Sequence, residues 1–442
     1  MVFAAVPRIA TLAATVALLG ACAGSNADGP AADAGCAGFA AYQGHRGTTV
    51  TVRSSIRDVE ADKLVKAWET FQTCTGITID YSGSADFEAQ LPKDVAAGKQ
   101  PDLAFFPQPG LLAAMARTGK LKPAGKGTAE NVDKYYSADW KRYGTVDGVL
   151  YGAPIDANVK SFVWYSPKFF AAHGYAVPQT WDELLALSDR IAATGTKPWC
   201  AGIESGGSTG WPVTDWLEDT LLRTAGPSVY DDWVGHRIAF DDPRVVAALD
   251  RVGGVLRNPK YVNGGYGGVE SIATTAFQEG GLPILQNTCA MHRQASFYAN
   301  WWPANATVAE DGDIYAFYLP PVDPAAGRPV LGAGVFAGAF AGRPEVQAVS
   351  AYLSTPDFAD NRARTGGVVS ANKELDKSVL SSPIEKLSAT LLTDPGVTFR
   401  FDGSDQMPAA VGAGTFWTGM TDWIKGADTT TVLHRIETGW PA

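Results

Sequence analysis

Histidine and cysteine are scarce in this chain of 442 residues, with five of each. The histidines, His45, His173, His236, His292 and His434, are scattered and form no H-E-x-x-H pair, so a zinc hydrolase carried on one helix is not encoded. The cysteine spacings suit no zinc site either. The phosphate-cradling pattern G-x-x-x-x-G-K-[ST] is missing, which argues against nucleotide hydrolysis through a P-loop. Lysine and arginine form no run, and the formal net charge is −10. An acidic chain without a basic patch is a poor partner for nucleic acid, and the surplus acid is read as solubility. Neither a metal nor a cofactor is expected. No segment after the N-terminal region reaches the roughly 18 uninterrupted apolar residues of a membrane span.

The N-terminal run from Ile9 to Ala21 is apolar for roughly 13 residues, short of the roughly 20 that cross a bilayer. It reads as the hydrophobic region of a secretory signal, with Arg8 as the one positive charge before it. The run ends Leu19-Gly20-Ala21-Cys22. Small residues admit a peptidase, and a cysteine directly after them resembles a bacterial lipobox. Residues 1–21 are therefore read as a lipoprotein signal peptide, Cys22 as the lipid-modified first residue, and 22–47 as a flexible tether. Acyl chains would hold the body at the outer face of a membrane, so the expected location is extracytoplasmic and membrane-anchored. An ordinary signal peptide with a chance cysteine is the alternative. Cys36, Cys74, Cys200 and Cys289 remain, and four cysteines allow three pairings. Secretion favours disulfides, and the expected pairs are Cys36–Cys74 and Cys200–Cys289, one clip in each half.

The length exceeds the roughly 250–300 residues at which a single core stops growing, which suggests two domains. "TTVTVRSS", "ITIDYSG" and "PDLAFFP" read as strands. Between the first two, Leu64, Val65, Trp68 and Phe71 share a helical face that Gly76 ends. Strands alternating with helices make a parallel sheet with covering helices. The pattern returns in "YGAPIDANVKSFVWYSP", two strand-like runs joined at Asp156–Asn158. A capping box follows at Thr180 and Glu183. "KPWCAGIE", "FYLPPV" and "LGAGVFAGAF" are later strands, and the C-terminal third is helical.

Two patterns could carry chemistry. "GGSTG" (206–210) fits the G-x-S-x-G nucleophile elbow with Ser208 as nucleophile and Asp405 and His434 as later partners. Trp211-Pro212 follows at once, and the proline is expected to delay the helix that an elbow needs. The other pattern is aromatic: "FFPQPG", "GWPVTDW", "YANWWP" and "GTFWTGM" gather rings beside polar groups. Sugar rings offer an apolar face and a rim of hydroxyls, which is what an apolar pocket with a few placed polar groups receives.

These features together resemble the extracellular solute-binding proteins of ABC importers. "PDLAFFPQPGLLAAMARTGKLKP", "YGAPIDANVKSFVWYSP", "AFQEGGLPILQNT" and "RTGGVVSANKEL" look like that family's signatures, over roughly residues 48–440. "GWPVTDWLEDTLLRTAGPSVYDDW" and "FDGSDQMP" look closest to its carbohydrate-binding, α-glucoside branch. The resemblance implies an α/β, two-lobe periplasmic-binding-protein-like fold of type II, with a hinge and a ligand cleft between the lobes. Lobe 1 is expected over 48–155 and 331–365, lobe 2 over 156–330 and 366–442. It implies ligand contacts at Asp86, Phe106, Gln108, Asp156, Asn158, Trp211, His292, Arg293 and Trp417. The implied partners are a small carbohydrate and the transmembrane permease subunits, with the binding protein a monomer and not an enzyme. Competing readings are a secreted hydrolase, either a glycosidase or a Ser208 esterase, and a sensor or adhesion protein on the same fold.

Overall fold

A computed structural model describes residues 34–324, 327–394 and 396–441. The signal peptide, Cys22 and the first part of the expected tether lie outside them. Residues Ala34–Tyr42 of that tether form a 3-10 helix. Cys36 is bonded to Cys74, with the Cα atoms 5.3 Å apart, and Phe39 sits edge-on to Phe71 and Tyr352, at 6.0 and 5.8 Å. A buried ring and a disulfide give this stretch contacts that a free tether lacks.

The strands are β1 (Thr49–Ser54), β2 (Thr78–Gly83), β3 (Leu103–Phe106), the small hairpin β4 (Thr145–Val146) and β5 (Val149–Leu150), β6 (Gly152–Val159), β7 (Phe162–Tyr165), β8 (Lys197–Cys200), β9 (Cys289–Arg293), β10 (Tyr315–Tyr318), β11 (Arg328–Ala339) and β12 (Val397–Phe401). One sheet runs β12-β11-β3-β1-β2, with β6 also paired to β11. β1 lies parallel to β2 and β3, whereas β11 is antiparallel to β3 and β6. The second sheet runs β10-β7-β9-β8.

Both sheets are covered on two faces. In β3, Leu103 and Phe105 join Trp68, Phe71 and Tyr352 on one side, while Ala104 and Phe106 join Leu112, Trp140 and Phe336 on the other. The period of two in a strand sends alternate residues to opposite faces, so "LAFF" must be apolar throughout. The second sheet separates a core around Trp181, Trp199 and Trp216 from one around Trp164, Tyr298 and Trp302. Cys200–Cys289 joins the neighbouring strands β8 and β9, again as expected.

Several local expectations need adjusting. The helix through Leu64 and Phe71 is two helices, Asp58–Ala67 and Glu69–Thr75, broken at Trp68 and stopped by Gly76 at φ 71°. β6 runs unbroken through Asp156–Asn158, and the chain changes sheets two residues later, at Lys160-Ser161. Trp211-Pro212 does not delay the helix: it begins at Trp211, because the first helical turn has no use for the proline's missing N–H. Within 366–442, β12 joins the first sheet beside β11, while the helices Trp417–Ile424 and Thr429–Glu437 pack into the second lobe's core.

The chain passes between the sheets at 159–162, after Tyr318 and after Phe401. One face of the helix Trp211–Val234 holds all three passages. Lys160 Nζ lies 2.9 Å from Asp215 and 2.6 Å from Asp402. Ser161 donates to Asp219 at 2.9 Å. Arg223 pairs with Asp219 and donates to the Leu319 carbonyl at 2.9 Å. Glu218 accepts from the Gly403 and Ser404 amides at 2.7 and 3.0 Å. Burial opposes the charge of Lys160, but Asp215, Asp402 and Asp405 outweigh it and hold the ammonium protonated. Removing one partner from such a cluster strands the other charges without water. Lys160→Met is therefore expected to lower unfolding stability by about 3–5 kcal/mol, read as the shift in the urea midpoint. An unchanged midpoint would show that the cluster contributes nothing net.

Candidate functional site

Open α/β sheets bind ligands beyond the carboxyl ends of their strands. Here the segments that leave β1, β2 and β3 supply Ile56 and Arg57, Ala85 and Glu88, and Pro107 and Gln108 to one wall of a cleft. The segment after β8 supplies Ser205, Ser208 and Trp211 to the facing wall. The main chamber holds about 220 Å³ and an adjoining one about 270 Å³; Glu88, Gln108, Ser208, Ser404 and Trp417 line both. At the narrow end, a Cβ placed on Gly207 of the second lobe would lie 3.4 Å from Asp86 of the first. The lobes also touch where Lys63 donates to Asn300.

One side of the main chamber is aromatic. Trp211 packs edge-on to Phe277 at 5.2 Å and lies 6.1 Å from Phe297, and Phe277 lies 5.9 Å from Trp301. Gly210, at φ 110°, carries Trp211 so close to the C-terminal segment that a Cβ there would sit 2.1 Å from the Trp417 carbonyl. That approach brings Trp211 and Trp417, far apart in sequence, into one cleft.

The floor is made where β6 meets β11. Asp156 pairs with Val335 in register, and a Cβ on Gly334 would lie 2.6 Å from the Asp156 carbonyl. Arg362 Nε is 3.2 Å from Asp156 Oδ1. Burial raises the Asp156 carboxyl, and Arg362 opposes the rise. Gln108 Oε1, Asn158 Oδ1, Trp301 Nε1 and Trp417 Nε1 are buried without a hydrogen-bond partner among the described residues. Two are acceptors and two are donors, and buried polar atoms normally find partners.

The cleft thus brings together Gln108, Asp156, Asn158, Trp211 and Trp417, with Asp86 in the adjoining chamber. Three expected contacts lie elsewhere. Phe106 is fully buried in the first lobe's core, 6.4 Å from Phe87 and 6.3 Å from Phe340. His292 is buried on β9 with Nδ1 2.9 Å from the Cys200 carbonyl, and burial lowers its imidazole to about 4. Arg293 is spent on Asp215 and Asp219, at 3.5 and 3.0 Å. Glu60, Glu88, Arg362, Phe297 and Asp405, not among the expected ligand contacts, line the cleft as well. Asp405 fell inside a stretch already singled out, "FDGSDQMP", and Glu88 lies two residues after the expected contact Asp86; Glu60 and Arg362 carried no local signal. The esterase constellation does not assemble. Ser208 and Asp405 line the cleft, but His434 lies on the exposed face of the last helix, paired with Asp241 at 2.9 Å.

Residues 57–359 match the bacterial extracellular solute-binding protein family. The chain belongs to that family. It is 42% identical over 395 residues to the osmoprotective compounds-binding protein GgtB of Synechocystis sp., covering 89% of this chain and 92% of that protein. It is 38% identical over 411 residues to the alpha-glucosides-binding periplasmic protein AglE of Rhizobium meliloti, covering 90% and 88%. Among solved structures, the bacterial solute receptor AcbH, described as preferring β-D-galactopyranose exclusively, superposes with a TM-score of 0.76 at 18% identity, over 89% of this chain and 98% of that one. The two-lobe fold of solute-binding proteins is therefore the fold of this chain, and the family is one of binding proteins.

Glu60, half-buried at the edge of the cleft, is raised to about 7, chiefly by burial; Arg362 lowers it and Asp156 raises it. Unfolded, a glutamate titrates near 4.3. The folded state therefore binds this proton more tightly, and its contribution to stability falls as pH rises from about 4.3 through about 7. Glu60→Gln removes that loss. Its melting temperature relative to the parent is expected to gain a few degrees between pH 5 and pH 8, and a constant difference across that range would refute the assignment.

Proposed function

We propose that this protein captures a carbohydrate, an α-glucoside or similar oligosaccharide, by closing its two lobes around it, and hands it to the permease subunits of an ABC importer. The observation that carries this reading is the pairing, in one cleft, of an aromatic wall with buried donors and acceptors that lack partners. A sugar satisfies both at once, since its C–H face stacks on rings and its hydroxyls donate and accept. The names of GgtB and AglE point the same way. Membership of an extracellular solute-binding family supports a location outside the cytoplasm, and the lipobox-like stretch ending at Cys22 supports a body tethered to the membrane.

The moving bodies are taken as 48–155 with 331–365, and 156–330 with 366–442, except that the end of β6, to Val159, and β12 pair with β11 and go with the first. Closure needs no bond to break. The ligand need only bind the closed form better than the open one, and the passages between the lobes absorb the rotation.

The test is a thermal-shift screen of residues 23–442 against mono- and oligosaccharides, polyols and sugar acids. A ligand at 100 times its dissociation constant adds about 2.7 kcal/mol, so a binder is visible. Trp211→Ala is expected to weaken the best sugar about tenfold or more, the loss of one stacked ring. No shift with any sugar, or product formation in its place, would overturn the reading.

A further inference from the structure

We infer that Asn300 is a latch: carried by the second lobe, it seats in a notch of the first and holds the two together without touching the ligand. This rests on the lobe-closure reading above and adds to it a positioning residue outside the ligand's reach.

Asn300 is fixed to its own lobe from both sides. It lies on the 3-10 helix Ser296–Trp301. Two residues before it, Tyr298 donates to the Gln278 carbonyl at 2.7 Å and accepts from the Gly281 amide at 2.9 Å. Two residues after it, Trp302 packs 5.8 Å from Trp164 of β7. The Asn300 side chain crosses to the helix Asp58–Ala67, which is set in the first lobe's core through Leu64 and Ala67. There Lys63 Nζ donates to Asn300 Oδ1, and Asn300 Nδ2 donates to Glu60 at 3.5 Å. One neutral amide thus answers an ammonium with its oxygen and a carboxyl with its nitrogen.

The seat is cut to this side chain. Gly366 and Gly367 stand at φ 79° and 92°, and a Cβ on Gly367 would lie 2.2 Å from Asn300 Oδ1. Glycine supplies both the backbone conformation and the space. The Gly367 amide donates to Glu385 at 2.7 Å. Val369 exchanges two backbone hydrogen bonds with Ala157 of β6, at 2.7 and 3.2 Å, so the notch, although it lies past residue 365, is fastened to the first sheet. Rotation of one lobe from the other therefore draws the amide out of its seat.

Neither Asn300 nor Lys63 lines either chamber, whereas Glu60 and Trp301 do. The latch is one residue from the aromatic wall, yet its bonds are made to the protein alone. Burial and Arg362 lower the Lys63 ammonium, and Glu385 and Glu60 raise it; in the open form water serves that ammonium in place of Asn300. A contact made only in the closed form shifts the balance between open and closed, and the apparent affinity of every ligand moves with it by one factor. For a half-buried hydrogen bond to a charged group that factor is about ten.

The experiment measures binding of maltose, trehalose and methyl α-glucoside by calorimetry and stopped-flow fluorescence, in the mature chain, Asn300→Ala, Lys63→Ala and the double variant. Asn300→Ala is expected to weaken every sugar that binds by the same factor, about ten, through a faster off-rate at an unchanged on-rate. The double variant is expected to lose no more than the worse of the single ones. If Asn300→Ala does not fold, Lys63→Ala, which alters the first lobe only, carries the same expectation alone. Folded variants that bind like the parent overturn the latch and leave the carbohydrate reading standing. So do losses that add in the double variant, or a loss confined to one of several binding sugars, which would make Asn300 a ligand contact. If no sugar binds the parent, the carbohydrate reading falls and the latch is judged on the empty chain. Its radius of gyration by small-angle scattering is then expected to rise in Asn300→Ala, and an unchanged radius overturns the latch as well.

Discussion

The molecule depends on one helix face. Asp215, Glu218, Asp219 and Arg223 lie at successive turns of Trp211–Val234, all buried, and between them they fasten all three passages between the lobes. Charges are kept this far from water only when paired and hydrogen-bonded. The bookkeeping is uneven: Asp215, Glu218, Asp219, Asp402 and Asp405 face Lys160, Arg223 and Arg293. Glu218 feels that excess: burial, and then Asp402 and Asp215, push its carboxyl upward, while Lys160 and the Gly403 amide oppose the rise.

That arrangement constrains how the lobes can move. Lys160, Ser161, Leu319 and Gly403 are all bound to a helix of the second lobe, so each passage is rigid at its second-lobe end. Bending is left to the first-lobe side, where β6 and β11 run together and their register slips between Val335 and Phe336. Asp156 pairs with Val335 at that slip and is held by Arg362. The floor of the cleft and the flexible part of the hinge are thus the same few residues, and a ligand that touches the floor touches the hinge.

How much of this the sequence carried depended on the range of the interaction. β1, β2 and β3, the helix stop at Gly76 and the helix start at Thr180 are set by neighbours a few residues away, and they were legible. Gln108, Trp211 and Trp417 were legible through the company they keep in their loops. Phe106, His292 and Arg293 were expected at the ligand through the family resemblance, but side-chain direction alternates along a strand and the register decides which side reaches the cleft. Glu60 and Arg362 could not be read, because the packing of Asp58–Ala67 on Pro356–Thr365 is what brings them to the same wall. The place where the chain changes sheets was misplaced by two residues for a related reason. Lys160 and Ser161 break the strand only because Asp215, Asp402 and Asp219, distant in sequence, capture their side chains.

The third passage ties these arguments together. Asp402 caps a short turn, accepting from the Ser404 hydroxyl at 2.7 Å and the Asp405 amide at 2.9 Å. It belongs to the buried cluster through Lys160, and Asp405, three residues on, lines the cleft. The same turn therefore presents one carboxyl to the hinge and another to the ligand. Moving the first lobe toward the second brings Glu88 toward Asp405, and in an empty cleft that approach must be met by a proton or by water. Because a ligand shifts a conformational equilibrium only by the difference in its affinity for the two states, a group bridging residues from both lobes contributes in full to closure, whereas stacking on Trp211, Phe277 and Phe297 of the second lobe alone is available in the open form as well. On the proposed reading, the rings of that wall supply affinity in either form, and contacts made from both lobes make that affinity depend on the cleft being shut.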